Sequence, residues 1–116
     1  MHYNKKVAGY YYGINPVFPG YSTIFLYGEA GNGNLVGRLY FEPDNKHTLT
    51  PHRFENGCPV LYFRRSDMPL LIDMLRNEGP IWLWAYVNDG INIANAVLST
   101  DYTEPVGEGE NISPGA

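Results

Sequence analysis

Residues 81–87 read Ile-Trp-Leu-Trp-Ala-Tyr-Val. On a strand, successive side chains point to opposite faces. One face then carries Ile81, Leu83, Ala85 and Val87, and the other carries Trp82, Trp84 and Tyr86. A strand with one solvated face alternates apolar with polar residues. This one is apolar on both sides, so both faces of its sheet need cover. A helix expected just before the strand supplies cover for the aliphatic face. Three occupants remain for the aromatic face: a second subunit, a ligand, or the chain's own loops.

The chain has 116 residues, which predicts one domain with one core. A chain of that size buries roughly two thirds of its unfolded surface. Apolar residues make up 44% and charged residues only 17%, and ten residues are Tyr. That balance makes a cohesive surface, and Tyr favours interfaces because it is apolar at one end and a hydrogen bonder at the other.

The charge is unevenly placed. In residues 1–100 eight acids and eight bases cancel, and the net charge of −4 comes from Asp101, Glu104, Glu108 and Glu110. A neutral body has no long-range pull on a phosphate backbone, which argues against nucleic acid as a partner. Cys58 is the only cysteine, so no intrachain disulfide forms. The opening Met-His-Tyr-Asn-Lys-Lys leads into Gly and Tyr and does not read as a secretory signal. No run approaches the ~20 apolar residues that span a bilayer. The expectation is a soluble cytoplasmic protein with no membrane partner.

The chain reads as strands at 6–14, 22–28, 35–42, 59–65, 81–87 and 91–100. Asn15-Pro16-Val17-Phe18-Pro19-Gly20 reads as a stiff loop. Ala30-Gly31-Asn32-Gly33-Asn34 reads as a hairpin turn. Residues 43–57 are polar, lack periodicity and make the longest connection, so they are expected to be the most mobile. One helix stands out. Asp67 can cap it, Pro69 lies in its first turn, and Met68, Leu71, Ile72 and Leu75 form an i, i+3, i+4, i+7 stripe before Gly79-Pro80 ends it. The expected fold is α+β: one twisted, mostly antiparallel sheet of about six strands in the order ββββαββ. It curls like a half-barrel and has one helix packed on one face. Residues 1–103 form the domain, and 104–116 form an acidic tail whose Gly and Pro residues resist a fixed conformation.

Chemistry-bearing residues are sparse. His47 and His52 flank Thr-Leu-Thr-Pro, with Asp44 and Glu55 nearby, but this spacing matches no closed metal site; two exposed loop histidines are the plainer reading. Cys58 with His52 lacks a third orienting group, and a lone cysteine is more often a small core residue. Gly28-Glu-Ala-Gly-Asn-Gly looks like part of a phosphate loop, yet it joins two strands and opens no helix. No catalytic residue, metal or cofactor is assigned. Arg64 and Arg65 face opposite ways, and one of them could stack on a tryptophan or pin a carboxylate. A charge at the sheet margin is the plainer alternative. The best candidate surface is Trp82, Trp84 and Tyr86, with Tyr10, Tyr12 and Arg64 joining them and Phe25, Tyr27, Tyr40 and Phe63 as further neighbours. A closed aromatic core is the structural alternative.

Three segments carry a resemblance: Gly-Tyr-Tyr-Tyr-Gly-Ile-Asn-Pro at 9–16, Ile-Asp-Met-Leu-Arg-Asn-Glu at 72–78, and Glu-Pro-Val-Gly-Glu-Gly-Glu at 104–110. The chain resembles a family of small uncharacterised bacterial proteins of the kind found in environmental and mobile gene-cassette collections. The resemblance implies a stand-alone domain and brings no activity, cofactor or site residue. If the third segment is a family feature, the tail is partly ordered, against its composition. The functional expectation is a non-enzymatic homodimeric module with an aromatic-lined interface. The alternatives are a binding protein for a small apolar or aromatic ligand near Trp82 and Trp84 and, more weakly, a small enzyme using His52 and acidic residues of the long loop.

Overall fold

The computed structural model describes residues 1–14, 22–29 and 34–100. The 15–20 loop, most of the 30–34 turn and the tail from 101 lie outside the described residues. Eight strands, β1 (His2–Val7), β2 (Gly9–Ile14), β3 (Ser22–Tyr27), β4 (Leu35–Glu42), β5 (Arg53–Glu55), β6 (Cys58–Arg64), β7 (Ile81–Asn88) and β8 (Asn92–Thr100), join into one sheet. Helix α1 (Met68–Asn77) lies between β6 and β7, after a 3-10 turn at Arg65–Asp67. The strand order is β1-β7-β8-β5-β6-β4-β3-β2.

This corrects the expected six-stranded, mostly antiparallel sheet with a helix on one face. The sheet has eight strands and is mixed, because β4 and β6 run parallel. Two strands were missed for different reasons. The predicted first strand, 6–14, is two strands broken at Ala8, and it begins earlier, at His2. β5 is a three-residue strand inside the predicted 43–57 loop, too short to carry a periodicity. Its turn places Asn56 and Gly57 at positive φ, and it pairs antiparallel with β6. The long connection is what lets β6 come back parallel to β4, which a short one could not do.

The two ends of the strand order, β1 and β2, are halves of one run of chain. β1 pairs antiparallel with β7, and β2 pairs antiparallel with β3, with Ala8 donating its N–H to the Tyr27 carbonyl at 2.8 Å. The N-terminal run therefore joins the two ends, and the sheet folds over on itself. The weak seam is β5 to β8, which share only the Arg53–Asn92 pair and a 2.6 Å bond from the Phe54 N–H to the Ile91 carbonyl.

The inner surface holds the core: Ile24, Leu26, Val36, Leu39, Phe41, Leu61, Met68 and Leu83. β4 packs directly across from β7. A side chain at Gly37 would place its Cβ 2.4 Å from Leu83 Cδ2, so any larger residue there forces the Leu83 side chain to shift. Tyr3 bridges the same gap, donating its hydroxyl hydrogen to the Val36 carbonyl at 2.7 Å. The aliphatic face of β7 is thus covered mainly by the sheet's own far half. The helix adds Met68 to the core, and Leu71, Ile72 and Leu75 pack against it only half-buried. Asp67 sits at the helix N-cap but makes no side-chain capping bond. The preceding 3-10 turn already gives it helical φ and ψ, in place of the extended backbone a capping side chain needs.

The 43–50 segment, expected to be mobile, is anchored by polar contacts. Glu42 is only 2% exposed, and its carboxylate accepts bonds from the Thr50 N–H at 2.8 Å, the Thr50 hydroxyl at 2.7 Å and the Lys46 ammonium. Asp44 accepts the Ser66 N–H at 2.9 Å.

Candidate functional site

β7 is an inner strand of the sheet, flanked by β1 and β8, so its alternation sorts cleanly into two sides. Ile81, Leu83, Ala85 and Val87 are all buried on the inside. Trp82, Trp84 and Tyr86 lie on the outside, the two tryptophans half-buried and Tyr86 38% exposed. In register beside them stand Lys6, Asn4 and His2 on β1, and Ser99, Val97 and Asn95 on β8. Residues directly opposite on neighbouring antiparallel strands share a face. The result is a three-by-three outer patch with the aromatic residues in its middle column.

The His2 ring packs on Tyr86 at 5.0 Å and on Trp84 at 5.9 Å between centroids. Val97, opposite Trp84, is 42% exposed. Toward Trp82 the patch dips into an open depression of about 430 Å³ lined by Asn4, Trp82, Trp84, Ser99 and Thr100. Trp82 Nε1 is buried there with no hydrogen-bond partner among the described residues. The patch is apolar at its centre, and its margins are polar except at Val97, close to the usual layout of a contact surface.

Of the six predicted site residues, only Trp82, Trp84 and Tyr86 come together. Tyr10 and Tyr12 lie on β2, at the other end of the strand order. They stand opposite Leu26 and Ile24 and so share the inner face, where their rings stack at 6.4 Å. The inward parity changes from odd residues on β1 to even ones on β2 because the run breaks at Ala8. Arg64, at the end of β6, is a positioning residue for the 43–50 segment. Its guanidinium donates to the backbone carbonyls of Asp44 at 3.2 Å, His47 at 3.4 Å and Lys46. It does not approach the tryptophans.

The residues weighed for catalysis are held in structural roles. His52 Nδ1 accepts the N–H of Tyr62, inside β6, at 3.0 Å, and burial pushes its pKa down. Cys58 is 1% exposed. Among the described residues no group of three or more His, Cys, Asp or Glu is placed to hold a metal ion. Of the Gly28–Gly33 stretch only Gly28 and Glu29 are described; they follow β3, which pairs antiparallel with β4.

A second cluster escaped the sequence reading. On the outer side of β4, β5 and β6, Glu55 lies between two guanidinium groups, 3.1 Å from Arg53 Nε and 3.4 Å from Arg38. The hydrogen bond from Arg53, then the charges of Arg53 and Arg38, hold the Glu55 carboxyl below its ordinary range. Arg53 also donates to the Tyr62 hydroxyl at 2.9 Å, and Tyr62 stacks on Tyr40 at 5.6 Å. The Tyr40–Tyr62 pair follows from the parallel register of β4 and β6, and Arg53 and Glu55 sit on the unforeseen β5. The alternation Arg38, Leu39, Tyr40, Phe41 was the one available signal that polar and aromatic residues share an outer face.

Among the described residues no helix is long and apolar enough to cross a membrane. No family model, curated protein or solved structure matches the chain.

Proposed function

We propose that this protein is a non-enzymatic, self-associating module whose subunit contact is the outer patch of β1, β7 and β8. One observation carries the reading. The inner face of β7 is buried, with Leu83 against Gly37 of β4, while its outer face presents Trp82, Trp84 and Tyr86 beside an exposed Val97. A contiguous apolar patch of this kind marks an interaction surface more often than a solvated one. A two-fold axis lets the patch cover itself, so no second gene product is required. A body with no net charge permits close approach of two copies. Placement in the cytoplasm belongs to the same reading and is consistent with a lone, buried Cys58.

Tryptophan quenching by acrylamide tests it. Shielding of Trp82 and Trp84 should rise with protein concentration and be lost on dilution. Quenching that is strong and independent of concentration would contradict the contact. A second reading is favoured by the depression beside Trp82 with its unpartnered Nε1. In that reading a small aromatic ligand with a hydrogen-bond acceptor stacks on Trp84 and takes the indole N–H. Its signature is fluorescence that saturates with such a ligand in a protein that sediments as a monomer.

A further inference from the structure

The longest unguarded strand edge in the described chain belongs to β8. Along the side facing β7 every residue of β8 is matched except Ala94, where the register shifts. On its other side Asn92 pairs with Arg53 of β5, and no described strand pairs with 93–99. Which groups are left pointing outward follows from the bonds at the far edge of β7. Met1 and Val87 exchange two bonds, Val87 N–H to the Met1 carbonyl at 2.8 Å and the Met1 amino group to the Val87 carbonyl at 3.0 Å. Val87 therefore turns its backbone groups toward β1. Alternation turns those of Tyr86, Trp84 and Trp82 toward β8, and those of their partners Asn95, Val97 and Ser99 back toward β7. The N–H and C=O of Ala96 and Leu98 must then point away from β7, and no described strand pairs with them.

Edges of this kind are normally protected by charge, proline or cover. β1 carries Lys5 and Lys6, and β2 contains Gly9 and Gly13, a residue type depleted from strands. Residues 90–100 contain no charge and no proline. The chain's own tail is a poor occupant, because 101–116 holds Pro105, Gly107, Gly109, Pro114 and four acids, a composition depleted from strands. β8 itself is the better match. It is uncharged and free of proline, and an antiparallel pairing about a two-fold axis sets the same edge against itself.

We propose that β8 pairs edge to edge and antiparallel with β8 of a second copy, through the backbone groups of Ala96 and Leu98. This contact is independent of the proposed contact through the tryptophan face. It leaves the outer patches of both copies on the same side of one continuous sheet. With both contacts present, dimers formed through one are joined by the other into tetramers or longer assemblies.

Residue-resolved hydrogen exchange of the full chain, at a low and a high concentration, is the test. Asn95, Val97 and Ser99 amides should be protected at both. Ala96 and Leu98 amides should exchange fast at the low concentration and slow by at least about tenfold at the high one. Ala96→Pro removes an outward N–H without taking a bond from the β7 ladder, so it should abolish the protection at Leu98 and the larger species. Trp84→Ala should leave protection at Ala96 and Leu98 unchanged, which separates failure of this contact from failure of the aromatic one. If Ala96→Pro does not fold, the wild-type exchange pattern still decides. Three results overturn the proposal: Ala96 and Leu98 exchanging equally fast at both concentrations; protection that ignores concentration and vanishes when 101–116 are removed, which assigns the edge to the tail; and protection that appears together in β2 amides, which makes the contact head-to-tail.

Discussion

At the scale of single residues, buried polar groups hold the parts that apolar packing does not reach. Glu42 is the clearest. Burial alone would raise its pKa, but the donors Lys46 and Thr50 outweigh that and hold the carboxyl below its ordinary range. A carboxyl with a folded pKa below its unfolded value stabilises the fold above the ordinary carboxyl pKa of about 4.3, and the contribution is lost as pH falls through the lower, folded value. Glu42→Gln should cost about 1–3 kcal/mol at neutral pH. In denaturant titrations the gap to wild type should close as the solution is acidified below that range, and a gap that ignores pH would contradict the assignment. Tyr3 shows the opposite sign. Burial, and secondarily the nearby Cys58, push its phenol up to about 12. Stability from the neutral phenol is present below the ordinary tyrosine pKa of about 10 and lost as pH climbs toward the folded value. Tyr3→Phe should therefore lower stability at neutral pH, by leaving the Val36 carbonyl without its donor, and remove part of the alkaline loss. Denaturation curves of the two proteins across the alkaline range check this.

At the scale of elements, the central event is the folding-over of the sheet, which brings β4 against β7. Gly37 lies against the buried Leu83, whose side chain must shift to admit a Cβ there. Gly37→Ala should destabilise by about 1–3 kcal/mol, and Leu83→Ala made in the same chain should recover part of that loss. Additive losses, measured by thermal or chemical unfolding, would mean that the two strands are not in contact. The helix gives a second test. Met68 enters the core and Leu70 faces water, so Met68→Ala should cost about 2–5 kcal/mol. Leu70→Ala, by contrast, should fall within about 0.5 kcal/mol of wild type. These contrasts track what could be read in advance. The two-sided apolar pattern of β7 and the stripe of α1 are local periodicities, and both elements stand where the sequence places them. β5 is three residues long and exists because β6 and Ile91 offer it partners. The parallel pairing of β4 with β6, and the closure through a strand broken at Ala8, are long-range choices with no local signature. Tyr10 and Tyr12 were expected beside the tryptophans for the same reason: composition shows that they are aromatic, while the bend at Ala8 decides which side they face.

At the scale of the molecule, the sheet covers its own aliphatic side and leaves the tryptophan side outward. The sequence already posed that asymmetry as a question, since one strand cannot be apolar on both faces without two kinds of cover. The fold answers half of it, with β4 on the inside. For the outside, the proposed self-association supplies cover from a second copy, and a specific contact of this kind should bury at least ~1,000 Å² in total. Trp84, at the centre of the patch, is then a hot-spot residue whose truncation weakens association by about 2 kcal/mol or more. Sedimentation velocity of the wild type and of Trp84→Ala, over a range of concentrations at neutral pH, puts the question directly. The wild type should sediment as a dimer or larger species at micromolar concentration, and Trp84→Ala should shift the association midpoint to at least about thirtyfold higher concentration. A wild type that remains monomeric at the highest concentration would contradict self-association through this face.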